Sequence, residues 1–391
     1  MSAADAYRGL KILDLSQGIA GPYCAMLFAM RGAEVVKLEP LEGDWSRGLG
    51  ARYGDHTAMS AHNNRGKRSL ALDLKAAAGR DIACRLAAAS DIVIESFRPG
   101  VAARLGLGYK ALADVNPRLL YLSISGFGDD GPYAQRPCTD SVAQAYSGLA
   151  ALNRGNDGAP HRVGAIVIDT LTGVWAAQTL GAALYARERS GKGERVTVTL
   201  AECAAALLGH KLAEHALEKG RPRALNVPTG SYATKDGFVI FALVREIEFP
   251  RLCAALGRPD LAGDPRFADF ALRARHAAPL VAAVAATLAQ EPTAHWLEKF
   301  RAADLLADRV NGFEDWLADP HIVATGGAVR VEQPGMGHFP TPRTPGLPAG
   351  VEAALPPAPR IGEHGRAILA ELGLAAEAVA RLAAEGVLRL P

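Results

Sequence analysis

Short apolar runs alternate with segments of helical periodicity along the first part of the chain, up to residue 125. The runs are rich in Ile, Val and Leu and lie at residues 10–15, 34–39, 67–75, 91–97 and 119–125. Between them, apolar residues recur at the spacing of amphipathic helices. Such a β-α-β succession builds parallel sheets. The pattern therefore predicts an α/β fold with a doubly wound sheet.

The character of the sequence changes near Arg221, where Pro and Gly begin to punctuate short strand-like runs. A chain of 391 residues has room for two or three domains. We expect a large domain at residues 1–224 and a smaller α+β domain at residues 225–328. Residues 329–391 are expected to begin as a linker rich in Gly and Pro and then to return to the large domain as one or two amphipathic helices.

The charge balance and the cysteine pattern exclude several classes of protein. The formal net charge is +2 and no basic block occurs, so nucleic acid is not an expected partner. The five cysteines are scattered without a C-x-x-C pair, which argues against a disulfide framework and against a metal site. No apolar run has the length of a signal peptide or of a membrane span. We therefore expect a cytoplasmic protein that does not bind a membrane.

One carboxylate occupies a position that favours either capping or catalysis. Residues 165–168 have the pattern of a buried strand that ends on Asp169, and a helical segment follows at residues 174–187. An aspartate at the beginning of a helix can accept hydrogen bonds from the free N–H groups there. A carboxylate held in this way also stays ionised and can act as a nucleophile. The local sequence leaves both roles open for Asp169, and capping is the commoner one.

The first β-α-β unit also has features of a dinucleotide-binding site. Gly18 and Gly21 lie in the turn after the first strand, and Glu39 follows about twenty residues later, where an acid would bind a ribose. The G-x-G-x-x-G spacing is absent from this turn. NAD binding by a dehydrogenase is therefore a second and weaker interpretation.

Basic residues at the ends of the predicted elements favour a ligand with several phosphate groups. They are Arg47, Lys67, Arg68, Lys75, Arg98, Arg104 and Arg136. Each alone is typical of a solvated surface, but several at one edge of an α/β sheet can bind phosphates. This suggests a nucleotide-like ligand that is bound without a phosphate-binding loop.

Several segments, taken in order, resemble the class III coenzyme A transferases, the family of formyl-CoA transferase and carnitine CoA-transferase. They lie at residues 10–39, 64–75, 90–109, 116–137, 169–173 (DTLTG), 236–239, 252–267 and 360–374. The resemblance covers nearly the whole chain. It implies a Rossmann-like large domain built from both chain ends, a small domain, and a homodimer whose interlocked subunits hold coenzyme A near their interface.

The resemblance also implies roles for individual residues. Asp169 matches the catalytic aspartate of the family. The implied contacts to coenzyme A are Gln17, Gly18, Leu72, Lys75, Ser96, Phe97, Arg98, Arg104 and Asp140, and Arg136 lies beside a basic position of the family. The implied substrates are an acyl-CoA and a small carboxylic acid, and no tightly bound cofactor is expected.

The implied reaction passes coenzyme A through covalent intermediates on Asp169, first a mixed anhydride and then an aspartyl-CoA thioester. Backbone N–H groups near the helix start would hold the developing oxyanions. Two alternatives stay open. One is an acyl-CoA racemase of the same fold, although residues 138–146 lack the histidine base of that group. The other is a CoA-binding protein without activity. Arg245 and His338 are candidate contacts to the acceptor acid.

Overall fold

The computed structural model describes residues 3–154, 158–220 and 226–391. The chain divides into two compact units. The large unit comprises Met1–Gly209 and Gly326–Pro391, and the small unit comprises His210–Thr325. The large unit therefore contains both ends of the chain.

Strands alternate with one or two helices up to residue 125, and runs of consecutive helices become common after that. The strands are β1 (Lys11–Asp14), β2 (Glu34–Glu39), β3 (Lys67–Leu72), β4 (Ile92–Glu95), β5 (Leu120–Ser125), β6 (Arg195–Thr199), β7 (Gly230–Ala233), β8 (Phe238–Ala242), β9 (Leu306–Arg309), β10 (Ala328–Gln333), β11 (Gly337–Pro342) and β12 (Leu388–Arg389). The helices are α1 (Ala20–Ala29), α2 (Ala58–Asn63), α3 (Ala77–Ala88), α4 (Val101–Arg104), α5 (Tyr109–Val115), α6 (Asp140–Ser147), α7 (Leu149–Leu152), α8 (Val167–Ser190), α9 (Leu200–Leu207), α10 (Gly209–Leu217), α11 (Glu248–Ala255), α12 (Pro259–Ala262), α13 (Phe270–Arg275), α14 (Ala277–Leu288), α15 (Thr293–Ala302), α16 (Phe313–Ala318), α17 (Pro320–Thr325), α18 (Val351–Ala354), α19 (Gly365–Glu371) and α20 (Ala376–Ala384).

The large unit is organised around one sheet with the strand order β12-β3-β2-β1-β4-β5-β6. Each neighbouring pair from β3 to β6 is parallel, and β12 runs antiparallel to β3. The order reverses between β1 and β4, because the chain moves outward from β1 to β3 and then crosses back. This is a doubly wound order, and it confirms the predicted α/β class with a large parallel sheet.

The two faces of this sheet carry separate hydrophobic cores, because side chains alternate along each strand. On β1, Ile12 packs in the core that contains Phe28 of α1 and Leu180 of α8. Its neighbour Leu13 packs in the opposite core with Ile368 of α19. These side chains are fully buried, and each contributes roughly 2 kcal/mol of hydrophobic free energy. Helices therefore cover both faces, which leaves the ends of the strands for a ligand.

The last part of the chain completes the large unit. Val379 of α20 and Leu369 of α19 pack in the second core, and Leu388 of β12 pairs with Leu72 of β3. The segment predicted as a linker from residue 329 onward begins instead within the antiparallel hairpin β10–β11. Pro334 and Gly335, which contribute to the linker-like composition, lie in the turn of this hairpin, where Gly335 has φ +80°, whereas Pro340 and Pro342 lie in β11 itself.

The small unit, taken by itself, combines helices α11–α17 with the antiparallel sheet β7-β8-β9. Its core contains Phe241 of β8, Leu252 of α11 and Trp296 of α15, all at most 3% exposed. One face of the sheet is thus covered by helices, as is typical of an α+β unit.

Neither a membrane span nor a metal cluster is found in the described part of the chain. None of its helices is both long and apolar enough to cross a bilayer. None of its His, Cys, Asp and Glu side chains form a group of three or more that could hold a metal ion.

Candidate active site

The candidate site lies at the carboxyl edge of the large sheet, where the strand order reverses between β1 and β4. Ligands of doubly wound proteins bind in the crevice that this reversal leaves. A cavity of about 460 Å³ occupies the crevice, and we call it the Asp169 cavity. Of the predicted site residues, it brings together Gln17, Ser96, Phe97, Arg98 and Asp169.

Asp169 lies in the first turn of α8 as its third residue. Because α8 begins at Val167, the apolar run at residues 165–168 is not a strand, and that prediction is wrong. The end of the run instead belongs to the helix, where Ile168 is fully buried in the core shared by α1 and α8. Burial of Ile168 on one side of the turn leaves the half-buried Asp169 on the wall of the cavity.

The N–H groups at the beginning of α8 are bound by Asp140 of α6. Asp140 Oδ2 accepts hydrogen bonds from the N–H groups of Ile168 (2.6 Å) and Asp169 (3.2 Å). Its Oδ1 accepts a bond from Gln144 Nε2 (2.6 Å), and Gln144 Oε1 accepts one from the N–H of Val163 (2.8 Å). Asp140, only 6% exposed, therefore anchors the segment that carries Asp169. Asp169 is not the cap of this helix, and these two amides are not available to an oxyanion.

The surroundings of Asp169 raise its pKa. Burial has the larger effect and the charge of Asp140 adds to it, so that the pKa rises from 3.8 to about 7. The helix N–H groups that would favour the charged form of Asp169 are instead bound by Asp140. A carboxylate that binds its proton more tightly is also a better nucleophile when ionised.

The turn between β1 and α1 is held through its backbone. The N–H of Gln17 donates to Ser96 Oγ (3.0 Å), which joins the end of β1 to that of β4. The N–H of Gly18 donates to both carboxylate oxygens of Asp44 (3.0 and 3.1 Å). Gly18 has φ +85°, and a Cβ there would lie 2.3 Å from the ring of Trp45. Glycine is therefore required for this turn and for the close approach of the indole.

A second cavity of about 420 Å³ adjoins the first, and we call it the outer cavity. It is lined by the predicted residues Leu72 and Lys75, which follow one another closely at the end of β3. Gln17 and Phe97 line both cavities and form their common border. One extended ligand could therefore reach from Lys75 to Asp169.

Three of the predicted basic residues remain available to a ligand. Lys75, Arg98 and Arg104 are exposed, and none of them forms an ion pair with another described residue. Arg98 lines the Asp169 cavity and also a third cavity of about 750 Å³, whereas Arg104 lies on the short helix α4 that follows. Cations at these positions can bind phosphate groups at the rim of the crevice.

Three other basic residues of the predicted set pair with acids of the fold, and the two that are buried, Lys67 and Arg47, are closed to a ligand. Lys67 is fully buried and its Nζ lies 2.9 Å from Asp14 Oδ2. The buried Arg47 binds Glu39 through two hydrogen bonds of 2.8 Å. Arg68 pairs with a glutamate of α19 at 2.6 Å. Their acidic partners come from other elements, which the sequence alone does not reveal.

The same contacts contradict the NAD interpretation. Glu39, the acid expected to bind a ribose, is fully buried at the end of β2. Besides Arg47, it accepts hydrogen bonds from Ser69 Oγ (2.7 Å) and from the N–H of Asp44 (2.9 Å). An acid that binds a ribose must face the crevice, and this one does not.

Arg136 lies outside the Asp169 cavity, among aromatic rings. Its guanidinium is 5.1 Å from the ring centre of Tyr133, 5.5 Å from that of Phe127 and 6.0 Å from that of Tyr146. These are cation–π distances, so the rings hold the exposed side chain in place.

Several residues that line the Asp169 cavity are not among the predicted site residues, notably Ile19, Trp45, Cys138 and Thr139. Three of them adjoin predicted residues: Ile19 follows Gly18, and the other two directly precede Asp140. Trp45 carries a weaker signal, a single aromatic residue in a loop rich in Gly and Asp.

The sheet is doubly wound, and a half-buried carboxylate lines the cavity at the point where its strand order reverses. A second cavity with cations at its rim lies beside it. Together these features are typical of an α/β protein that binds an extended anionic ligand. The model of the family "CoA-transferase family III" matches residues 7–365. The chain therefore belongs to this family and is an enzyme of the class III CoA-transferases, which confirms the resemblance.

Named relatives extend over nearly the full chain. Succinyl-CoA--D-citramalate CoA-transferase of Chloroflexus aurantiacus is 34% identical, with 97% of each chain covered. Formyl-CoA:oxalate CoA-transferase of Streptomyces avermitilis is 30% identical, with 98% of this chain and 99% of the relative covered. The crystal structure of a CaiB/BaiF family protein from Brucella suis superposes with a TM-score of 0.81 at 32% identity, with 93% of this chain and 98% of the other covered.

Proposed function

We propose that the protein transfers coenzyme A from an acyl-CoA to a carboxylic acid, with Asp169 as the nucleophile. The observation that carries this proposal is the half-buried carboxylate with a pKa of about 7, placed on the wall of a cavity at the point where the sheet order reverses. The relatives named above, which by their names transfer coenzyme A between acids, support the reaction class.

In this proposal the coenzyme lies across both cavities. Its phosphate groups bind near Lys75 and Arg104 at the rim, and its pantetheine arm passes Phe97 and Gln17 to bring the thioester to Asp169. The shared lining of the two cavities supports a continuous path.

Three of the implied coenzyme contacts act differently within the proposal. The N–H of Gly18 is bound by Asp44, so Gly18 allows the ligand to approach the backbone closely rather than providing a hydrogen-bond donor. Ser96 Oγ accepts from Gln17 and keeps its hydroxyl proton for a ligand. Asp140 acts through the backbone of Asp169.

The chemistry proceeds by exchange between activated acyl groups. Asp169 attacks the thioester carbon, the C–S bond breaks, and a mixed anhydride and the CoA thiolate result. The thiolate attacks the aspartyl carbonyl and releases the donor acid, which leaves an aspartyl-CoA thioester. The acceptor carboxylate attacks this thioester to give a second anhydride and thiolate. Finally the thiolate attacks the acceptor carbonyl, so that Asp169 is released as a carboxylate and no other reactant is consumed.

Stabilisation of the oxyanions falls to another helix. Ala20 and Gly21, at the beginning of α1, line the Asp169 cavity, and α1 has no side-chain cap. The positive end of a helix and its free N–H groups stabilise negative charge that develops beside them. We propose that this end of α1 replaces the amides of α8 that Asp140 occupies.

A panel of acyl-CoA donors and mono- and dicarboxylic acceptors, with products followed by mass spectrometry, tests the proposal. We expect transfer by the wild type and none by Asp169→Ala. Asp130→Asn, which removes an exposed carboxylate from a nearby loop, serves as the control and should keep its activity. Near wild-type transfer by Asp169→Ala would refute the assignment.

The same panel run in heavy water distinguishes the racemase alternative. Racemisation needs a base that removes the α-proton. No histidine is among the described residues that line the Asp169 cavity. We therefore expect no deuterium at the α-carbon of recovered acyl-CoA, and incorporation at the rate of turnover would favour the racemase instead.

We also propose that the active form is an interlocked homodimer. Trp175 and Tyr185 of α8 are 43% and 66% exposed in the single chain, which supports a partner surface along this helix. Light scattering should give twice the mass of one chain, and a stable monomer with full activity would contradict the proposal.

A further inference from the structure

A buried ion pair lies beneath the turn that carries Gln17. Lys37 of β2 and Asp44, which follows β2, approach to 2.8 Å between Nζ and Oδ2, and neither side chain is exposed. The proposed reaction uses neither residue. Because removing two charges from water is costly, their burial needs a compensating role or a set of further contacts.

Each member of the pair binds the backbone on one side of Gln17. Lys37 Nζ donates a hydrogen bond to the carbonyl oxygen of Ser16 at 2.8 Å. Asp44 accepts the N–H of Gly18 with both carboxylate oxygens, at 3.0 and 3.1 Å. One ion pair therefore holds the residues before and after Gln17, whose own N–H is held by Ser96.

The pair is itself fixed by its neighbours. Asp44 Oδ1 accepts the N–H of Ser46 at 2.8 Å, and the N–H of Asp44 donates to Glu39 Oε2 at 2.9 Å. Burial disfavours the charge on Lys37, yet the charge of Asp44 keeps the pKa of Lys37 above its ordinary value. Despite the opposing effect of burial, the charge of Lys37 in turn lowers the pKa of Asp44, so the two charges favour each other, and the surrounding hydrogen bonds leave the pair little freedom to move.

We infer that Lys37 and Asp44 are positioning residues, which hold Gln17 at the border between the outer cavity and the Asp169 cavity. The inference rests on the proposed function, because Gln17 borders the path assigned to the coenzyme. The pair acts through the peptide groups of residues 16–18 and touches no substrate. A turn that is released on either side no longer keeps the Gln17 side chain at this border.

A double-mutant cycle on kcat/KM for the acyl-CoA tests the inference. Lys37→Met should lower kcat/KM by about 10- to 100-fold, because small misplacements of a binding group have effects of this size. In a Gln17→Ala background the same substitution should have little further effect on kcat/KM, since the effects of residues that act through one another are not additive. Asp44→Asn, which keeps the shape of the side chain, should show the same pattern more weakly.

Arg187→Met is the matched control. Arg187 is also buried and lies 3.2 Å from Asp91, but this pair stands at the amino end of β4, away from the turn. Its effect on kcat/KM should be the same in the presence and in the absence of the Gln17 side chain. Additive effects of Lys37→Met and Gln17→Ala would overturn the inference.

Hydrogen exchange provides a readout without catalysis. The Gly18 amide of the wild type should be protected as well as the core of the sheet, and Asp44→Asn should expose it selectively. Rapid exchange of this amide in the wild type, which needs no variant to fold, would overturn the inference. If the wild type transfers no coenzyme A at all, the proposed function fails, whereas the exchange result still decides whether the pair holds the turn.

Discussion

Replacing Asp169 by asparagine should stabilise the protein, and the gain should grow with pH. The pKa of Asp169 is raised from 3.8 to about 7 in the folded chain. The folded state therefore binds more protons than the unfolded state between these values, and its stability falls as the pH rises through this range. Asparagine has the same shape but does not titrate, so it removes this loss.

The size of the effect follows from the two pKa values. Linkage gives a cost of ionisation of about 2 kcal/mol at pH 5 and about 4 kcal/mol at pH 8. The difference in unfolding free energy between Asp169→Asn and the wild type should therefore increase by about 2 to 3 kcal/mol from pH 5 to pH 8. The variant should at the same time lose transfer activity, as expected for a residue whose strained environment serves the reaction.

Urea unfolding at both pH values measures the two differences, with Asp130→Asn as the control for loss of an exposed charge. The control should change stability by less than about 0.5 kcal/mol at either pH. A stability difference for Asp169→Asn that is independent of pH, or one that falls as the pH rises, would show that folding does not disfavour the ionised form of Asp169.

Three further results are expected. The kcat/KM of the wild type should rise with pH and level off above a midpoint of about 7. Asp140→Asn should move this midpoint downward, because the charge of Asp140 raises the pKa of Asp169. An unchanged midpoint would count against a coupling between the two carboxylates. In steady-state assays, Lys75→Met should raise KM for the acyl-CoA about 10-fold with little change in kcat, as expected for an exposed residue that binds a phosphate group. An unchanged KM would show that Lys75 is not part of the site. Gly18→Ala should lower the unfolding free energy by about 1 to 3 kcal/mol in urea titrations, because alanine is strained at φ +85° and its methyl group would clash with Trp45. An unchanged unfolding free energy would mean that the turn rearranges.

The sheet of the large unit was predictable because each strand is a local apolar run with a helical segment beside it. The run at residues 165–168 misled for a physical reason. Its β-branched residues enter a helix whose first turn is stabilised by a side chain from another element, Asp140. Nothing near Asp169 in the sequence records that contact. Residues 328–342 were hard to predict for another reason, because Pro and Gly occur in hairpin turns as readily as in linkers.

The site was predictable where its residues follow strands directly. Gln17 comes after β1 and Phe97 after β4, and parallel strands end at one edge of a sheet. The basic residues were harder, because exposure decides their role. Lys67 and Arg47 look like Lys75 in the sequence, but buried acids from other strands neutralise the first two. Long-range ion pairs of this kind have no local signal.

The most direct test of the account is to trap a covalent intermediate on Asp169. The wild type, incubated with an acyl-CoA that it turns over and then treated with hydroxylamine, should yield a hydroxamate on the peptide that contains Asp169, detected by mass spectrometry. The aspartyl carbonyl is activated in both the anhydride and the thioester, so either intermediate gives this product. Continued turnover with no modification of that peptide would contradict the proposed role of Asp169.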